Sequence, residues 1–214
     1  MAVNSITNAN IKRPVPGVAG TASADVITVQ GIASMTPLMV DLAGTTPSRA
    51  YRSVVSITRP SNTTAYTAGD VIGIADAGTP ANAGSAIHTL SSIGPSAGFV
   101  TIQSVELFIG NTSVPSGMSS FRLHLYTASP TAILDNAAFD LVSGDVSSYV
   151  GYIDLPTPQD FGSTLYSQAD YSGRLIKLAT ASTTLYAQLE TKGAYTPASG
   201  TLYTLRVKTL EAAL

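Results

Sequence analysis

Two histidines, His88 and His124, are the imidazoles available for acid–base chemistry in this chain of 214 residues, which contains no cysteine. A Ser–His–acid site requires the nucleophile, the base and an orienting group in one pocket. Neither histidine lies near a G-x-S-x-G turn or another recognisable triad pattern. His124 alternates with Leu123 and Leu125, which predicts that it lies on the outer face of a strand. The sequence therefore predicts no catalytic residue and no enzyme.

Paired carboxylates are the next candidates, because two of them can act as acid and base in a glycosidase. Most of the six aspartates concerned lie within two residues of Gly, Asn or Pro, where short acidic side chains stabilise turns. The pairs are Asp70 with Asp76, Asp135 with Asp140, and Asp154 with Asp160. Asp135, Asn136 and Asp140 also offer oxygen ligands for calcium, but their spacing matches no EF-hand loop. We predict turns here, with no metal site and no cofactor.

Nucleic-acid and membrane chemistry is equally unsupported by the sequence. The 11 basic and 13 acidic residues give a net charge of −2, and the basic residues are isolated, so no basic groove for a polyanion is expected. No phosphate-binding loop occurs. No run approaches the roughly 18 apolar residues of a membrane-spanning helix, and no apolar signal-peptide core is present at the N-terminus. We expect no nucleic-acid partner and no membrane partner.

The composition favours a protein that works within an assembly. Charged residues make up 11% of the chain and the mean hydropathy is +0.24, whereas about 25% charged residues is usual for soluble domains. The surface must therefore be formed largely by Ser, Thr, Asn, Gln and Gly. Ten tyrosines are present, and tyrosine suits subunit interfaces as well as carbohydrate platforms. We predict self-association.

Strand patterns dominate from residue 51 onward. Eight short runs are rich in β-branched and aromatic residues and are bounded by Gly, Pro, Asn or Ser: YRSVVSIT, GDVIGIAD, GFVTIQSVELFIG, SFRLHLYTA, SYVGYIDLP, GRLIKLAT, TTLYAQLET and TLYTLRVKT. The absence of helical periodicity predicts an all-β antiparallel β-sandwich, with a jelly roll as the first choice. In the last run Leu202 competes with Tyr203 for the core, which predicts a bulge near Thr204.

Two segments differ from this pattern. Residues 1–50 are interrupted by Pro14, Pro16, Pro37 and Pro47, so they predict either edge strands with a disordered tip or an extended N-terminal arm that orders on a neighbouring subunit. Residues 51–214 form the predicted β-sandwich domain. Within it, residues 77–105 contain no charged side chain, which fits either a floppy loop or a segment that lies against a partner.

Three segments carry a resemblance to a known family: residues 57–73 (ITRPSNTTAYTAGDVIG), residues 121–156 (FRLHLYTASPTAILDNAAFDLVSGDVSSYVGYIDLP) and residues 184–207 (TLYAQLETKGAYTPASGTLYTLRV). With them the chain resembles virion structural proteins of tailed bacteriophages, which are called decoration, cement or minor head proteins. The resemblance spans roughly residues 51–207. It implies a capsid-associated, oligomeric protein that is assembled in the host cytoplasm and partners the major capsid protein. A homotrimer is the expected form, because three copies match the local three-fold positions of an icosahedral shell.

Three functional hypotheses follow from the resemblance and the composition. The first is a capsid decoration or cement protein that binds the outer surface of the assembled head and stabilises it. The second is another virion part, such as a neck, tail or head-fibre component. The third is a carbohydrate-binding or adhesive β-sandwich. In the first case we expect residues 1–50 and residues 77–98 to supply much of the contact with the capsid.

Overall fold

The described part of the chain is built from antiparallel β-strands. A computed structural model describes residues 49–74, 87–171 and 173–212. These residues form eleven strands and one turn of 3-10 helix at Ser143–Asp145, with no α-helix among them. The all-β prediction is confirmed. Residues 1–48 lie outside the described ranges, so the N-terminal arm and its boundary near residue 50 stay predictions.

The strands form two sheets. The six-stranded sheet has the order β1-β11-β4-β8-β7, with β9 also paired to β4, and the five-stranded sheet has the order β2-β10-β5-β6, with β3 also paired to β10. The strands are β1 (Ala50–Thr58), β2 (Val71–Ile72), β3 (His88–Leu90), β4 (Phe99–Ile109), β5 (Phe121–Tyr126), β6 (Tyr149–Leu155), β7 (Gln159–Asp160), β8 (Leu165–Asp170), β9 (Leu175–Lys177), β10 (Leu185–Thr191) and β11 (Leu202–Ala212).

The strand order is that of a jelly roll. When the short strands β3, β7 and β9 are set aside, eight of the eleven strands remain. Counted along the chain, they follow the order 1-8-3-6 in one sheet and 2-7-4-5 in the other. Consecutive strands mostly alternate between the sheets, and the first and last strands are neighbours, as in the double Greek key of a jelly roll. The predicted architecture is confirmed.

Two details of the strand prediction are wrong. The run GRLIKLAT forms only the short strand β9, and the sixth principal strand is β8, which the sequence pattern did not indicate. The bulge lies between Lys208 and Thr209 and not near Thr204. Tyr203 is fully buried and its hydroxyl lies 2.9 Å from that of Tyr195, whereas Leu202 is 46% exposed. Because Tyr203 takes the inward position, the strand alternates regularly through Thr204.

The core fills the space between the sheets with alternating side chains. Val105 and Leu107 of β4 face Leu123 and Leu125 of β5, and all four are fully buried. Each such side chain contributes roughly 1.5–3 kcal/mol by leaving water. The ring of Tyr195 closes one end of this core, and its centroid lies 5.2 Å from that of Tyr66.

Candidate functional site

A buried ion pair joins two loops at one end of the sandwich. Arg59 follows β1 directly, and Asp135 lies in the long connection between β5 and β6. The Arg59 guanidinium lies 3.2 Å from the Asp135 carboxylate, and both side chains are almost completely buried. Asp135 also accepts hydrogen bonds from the Tyr66 hydroxyl at 2.6 Å and from the Gly73 amide at 2.9 Å. We call these four residues, Arg59, Tyr66, Gly73 and Asp135, the clasp.

The polar groups of the clasp are bonded to one another, so none of them is free to act on a substrate. Burial raises the pKa of Asp135, while the Gly73 amide, the Tyr66 hydroxyl and Arg59 act in the opposite direction. Burial also raises the pKa of Tyr66 far above its usual value. Asp135 therefore links two loops and does more than stabilise its own turn, which is all that the sequence predicts. A calcium role does not fit, because the carboxylate oxygens are occupied by protein donors. The clasp is a structural element.

Asp70 and Asp160 act in local turns, as the sequence predicts, whereas Asp154 lies in β6 and pairs with a residue of the neighbouring strand. Asp70 accepts bonds from the amide and the hydroxyl of Thr67 at 2.6 and 3.0 Å. Asp160 accepts a bond from the Gly162 amide at 2.7 Å. Asp154 forms an exposed, two-pronged pair with Arg122 at 2.7 and 3.1 Å. No pair of carboxylates in this part of the chain shares a cleft. Asp76 lies outside the described residues.

His124 lies on the outer face of β5, as the sequence predicts, but it is buried there. Its side chain does point away from the core between the sheets, but the β5–β6 connection covers it, and the Phe139 ring stacks on the imidazole at 3.6 Å. The imidazole contacts Glu190 at 2.9 Å and the Tyr149 hydroxyl at 3.0 Å. Burial lowers the pKa of His124, and Glu190 opposes that shift. The imidazole at the centre of this carboxylate–imidazole–phenol chain is only 3% exposed.

His88 lies in β3 and is also fully buried. Neither ring nitrogen has a hydrogen-bond partner among the described residues, and burial lowers its pKa to about 4. Nearby Leu90 and Ile93 are fully buried as well. These buried residues belong to the protein's own core, whereas Thr89, Ser91, Ser92 and Ser96 are exposed. The expected contact of residues 77–98 with a partner therefore stays a prediction. Residues 75–86 lie outside the described ranges.

Four of the ten tyrosines are core residues with paired hydroxyls: Tyr66, Tyr126, Tyr195 and Tyr203. Tyr152 is 44% exposed and has the Arg122 guanidinium over its ring at 3.8 Å. The tyrosine content is thus explained in part by folding, and it is weaker support for self-association than the sequence suggests.

A groove lies on the outer face of the six-stranded sheet. It has a volume of about 510 Å³ and is lined by Glu106, Phe108, Phe161, Thr164, Tyr166 and Arg206. Strand register positions these side chains, because Phe108 of β4 is paired with Tyr166 of β8, and Glu106 with Arg206 of β11. We call this feature the aromatic groove.

The aromatic groove combines exposed rings with charge. The Phe108 and Tyr166 rings lie 5.0 Å apart, and the Phe161 ring meets Tyr166 edge-on at 5.7 Å. Phe161 is 66% exposed. The Arg206 guanidinium lies 4.3 Å above the Phe108 ring. Aromatic and arginine side chains together are enriched at protein interfaces, so the groove can hold an apolar or planar group.

Sequence reasoning did not find the aromatic groove. Its residues come from three strands and a turn, and they are brought together only by sheet register. The single local signal was Phe161, a large apolar residue in the turn between β7 and β8.

The described residues offer no further site of a familiar kind. Among them, no group of three or more His, Asp or Glu side chains could hold a metal ion. In the same part of the chain, no helix is long and apolar enough to cross a membrane.

Comparisons with known proteins find similarity only among solved structures. No protein-family model matches the chain, and no curated protein matches it. A structure from Desmodium yellow mottle tymovirus has 15% identity and a TM-score of 0.27, covering 84% of this chain and 96% of that chain. One from Mud crab tombus-like virus has 13% identity and a TM-score of 0.25, covering 89% and 94%. A full particle of Israeli acute paralysis virus has 12% identity and a TM-score of 0.27, covering 87% and 83%. Such low scores carry no argument about function, and the jelly-roll assignment rests on this chain's own strand order.

Proposed function

We propose that the protein is a non-enzymatic structural component of a virus particle, and that it decorates and stabilises the assembled head of a tailed bacteriophage. In this role it binds the major capsid protein on the outer surface of the shell. A neck, tail or head-fibre position is the alternative within the same class.

The clasp is the observation that carries this proposal. Residues 57–73 and 121–156 are two of the segments that resemble phage virion proteins, and the structure shows that they hold each other. Arg59, Tyr66 and Gly73 come from the first segment and Asp135 from the second. The shared residues thus maintain an architecture instead of forming a pocket for chemistry. That favours a resemblance in structural role, although a fold alone does not define a function.

In the proposed mechanism, preferential binding to the assembled shell stabilises it. A protein that binds the assembled shell but not free capsid subunits shifts the assembly equilibrium by mass action. Several linked copies strengthen weak contacts through a raised effective concentration. The homotrimer, which is expected because three copies match the local three-fold positions of an icosahedral shell, would supply such copies and stays a prediction. The proposed contact regions are the aromatic groove, residues 1–50 and residues 77–98.

The direct test measures binding to capsids that lack the protein. Full-length protein is mixed with undecorated capsids, and both co-sedimentation and the temperature at which the capsids break are recorded. We expect saturable binding and a higher breakage temperature. Absence of binding to assembled shells, or equal binding to free capsid subunits, contradicts the proposed role.

Two variants locate the contact region in the same assay. Deletion of residues 1–45 tests the arm, and Phe161→Ala tests the aromatic groove. Full binding and stabilisation by the deleted form would show that the arm is an ordinary tail. Copy number in purified particles separates the head from the neck or tail, since hundreds of copies per particle indicate decoration and about a dozen or fewer indicate the neck or tail.

The aromatic groove also favours a second candidate function, namely glycan binding. A sugar ring could pack on the exposed Phe161 and Tyr166 rings while its hydroxyl groups bond to Glu106 and Arg206, which line the same groove. A glycan array probed with the full chain and with the Tyr166→Ala variant tests this function. Binding that depends on Tyr166 supports it, and a blank array refutes it.

A further inference from the structure

The exposed strand edges of the two sheets differ in how well they are protected against pairing with another chain. An edge strand presents unpaired amides and carbonyls that can pair with another chain, and proteins normally blunt such edges with short strands, bulges, charges or prolines. In this sandwich the edges of the described sheets are formed by β1, β2, β3, β6, β7 and β9, together with residues 167–170 of β8, a short stretch beyond β7 that ends in the charged Asp170. All of them except β1 carry such a device.

Four of these edges are simply short. Strands β2 and β7 have two residues each, and β3 and β9 have three each. Strand β6 is longer, but its pairing with β5 shifts register between Leu125 and Tyr126, and its Gly151 has a φ of 120°. In addition, the Arg174 guanidinium donates a 2.6 Å bond to the Val150 carbonyl of β6. None of these edges offers a long, regular pairing surface.

Strand β1 is the exception. It has nine residues, Ala50–Thr58, and all nine are paired in unbroken register with β11. It contains no proline, no glycine and no bulge, and Arg52 is its sole charged residue. A long, regular edge of this kind is a template for a further strand.

The unpaired groups on β1 can be assigned from its hydrogen bonds. The Glu211 amide donates to the Arg49 carbonyl, and the Arg59 amide donates to the Thr201 carbonyl. In an antiparallel ladder the bonded positions alternate, so the odd-numbered residues of β1 bond to β11. The even-numbered residues therefore point their amides and carbonyls away from the sheet. These are Ala50, Arg52, Val54, Ser56 and Thr58, and the side chains of all five are exposed.

We propose that β1 pairs with β1 of a second copy of this chain, antiparallel about a two-fold axis at Val54. The two six-stranded sheets then become one continuous sheet across the contact. Each copy contributes the same surface to an isologous contact, which closes at two copies and leaves no free β1 edge for further growth. This proposal does not depend on the virion role.

The register follows from the sequence of β1. Centring on Val54 pairs all nine residues, with Ala50 opposite Thr58 and Arg52 opposite Ser56. Like charges directly opposite one another destabilise strand pairs, and this register places no charge opposite a like charge. Centring on Arg52 instead would oppose two guanidinium groups and shorten the overlap. Val54, 46% exposed in the single chain, meets its own copy at the axis.

The resulting dimer differs from the trimer that the resemblance implies, so the mass in solution decides between them. The full chain has a mass of 22.0 kDa, and sedimentation at tens of micromolar is expected to give twice that value. A mass of one chain or of three chains overturns the proposal.

Val54→Lys and Val54→Cys test where the contact lies. Two lysines at the axis repel each other, so Val54→Lys is expected to sediment as a monomer at the same concentration. The matched control is Leu175→Lys, because Leu175 is 44% exposed on β9 at another edge, and it should remain a dimer. Thermal unfolding of both variants confirms that they are folded.

Val54→Cys gives the positive result. The chain has no cysteine of its own, and paired residues that exchange hydrogen bonds have Cα atoms about 5.5 Å apart, which lies within the range for a disulfide. Mild oxidation should convert most of the variant into a covalent dimer, while Leu175→Cys should not cross-link. A dimer that survives Val54→Lys and does not cross-link through Val54→Cys would place the contact elsewhere and refute the β1 pairing.

Discussion

Replacement of Asp135 by asparagine should destabilise the fold more than any similar change at the surface. The asparagine oxygen can still accept the bonds from Tyr66 and Gly73, which lie 2.6 and 2.9 Å from Asp135. Its amide group, however, turns a donor toward the Arg59 guanidinium, which is 3.2 Å from the native carboxylate. The substitution therefore removes the counter-charge from a cation that is 1% exposed.

Breaking a buried pair in this way costs about 3–5 kcal/mol. Arg59 keeps bonds to the carbonyl and the side-chain oxygen of Asn62 and to the Ala198 carbonyl, so we expect the lower end, about 3 kcal/mol. For a domain of this size each kcal/mol moves Tm by roughly 2–4 °C. The expected loss in Tm is roughly 6–12 °C. The corresponding loss of about 3 kcal/mol is a large part of a typical free energy of unfolding of about 5–15 kcal/mol.

A second arginine–aspartate pair provides the matched control. Arg122 and Asp154 form a pair of comparable geometry whose side chains are 26% and 55% exposed. Exposed pairs of this kind contribute only about 0.2–1 kcal/mol, so Asp154→Asn should lower Tm by less than roughly 4 °C. Calorimetry and urea unfolding of both variants measure the difference. Equal losses from the two substitutions, or a loss below about 1 kcal/mol for Asp135→Asn, would refute the idea that burial makes the clasp important.

Two further predictions concern stability at acid pH and the room for a Cβ atom at a glycine. Because burial holds the pKa of His88 at about 4 while the unfolded imidazole titrates near 6.5, the unfolded state binds more protons, and stability should fall by about 3 kcal/mol as the pH drops from 7 to 4. His88→Met should remove this part of the loss in urea titrations at both pH values, and an unchanged pH dependence would contradict it. Gly117→Ala should cost at least about 2 kcal/mol in thermal unfolding, because Gly117 has a φ of 86° and a Cβ there would lie 2.0 Å from the Ala194 carbonyl. Gly144→Ala, where no atom lies within 4 Å, is the control and should be nearly neutral; a similar loss in both would show that crowding is not the cause.

The fold class could be predicted because strand periodicity is written locally in the chain. Strand β8 escaped that analysis because its inward residues are Leu165, Ser167 and Ala169, of which only the first is a large apolar side chain. Ser167 is buried because its hydroxyl donates to the Pro156 carbonyl at 2.6 Å. A small polar residue that is satisfied by a distant carbonyl gives no alternating hydrophobic signal.

The clasp and the aromatic groove could not be predicted for a related reason. Arg59 and Asp135 are separated by 76 positions, and the sequence around Asp135 is that of an ordinary turn. The sequence placed His124 on the outer face of its strand, but the pattern of a strand does not show whether a loop returns to cover that face. In this protein Phe139 of the β5–β6 connection provides that cover.

The central position of β11 has a consequence for how the protein folds during synthesis. β11 is the last described strand to leave the ribosome, yet it lies between β1 and β4 and pairs with both. Until it emerges, β1 has no neighbour in its sheet, and most of the chain must wait for contacts between residues that are far apart in sequence. Folds dominated by such non-local pairing fold slowly, on a millisecond-to-second scale. A chain whose synthesis ends before residue 202 therefore lacks β11, the strand between β1 and β4. We expect such fragments to be recognised by chaperones or proteases and not to persist as a folded sandwich.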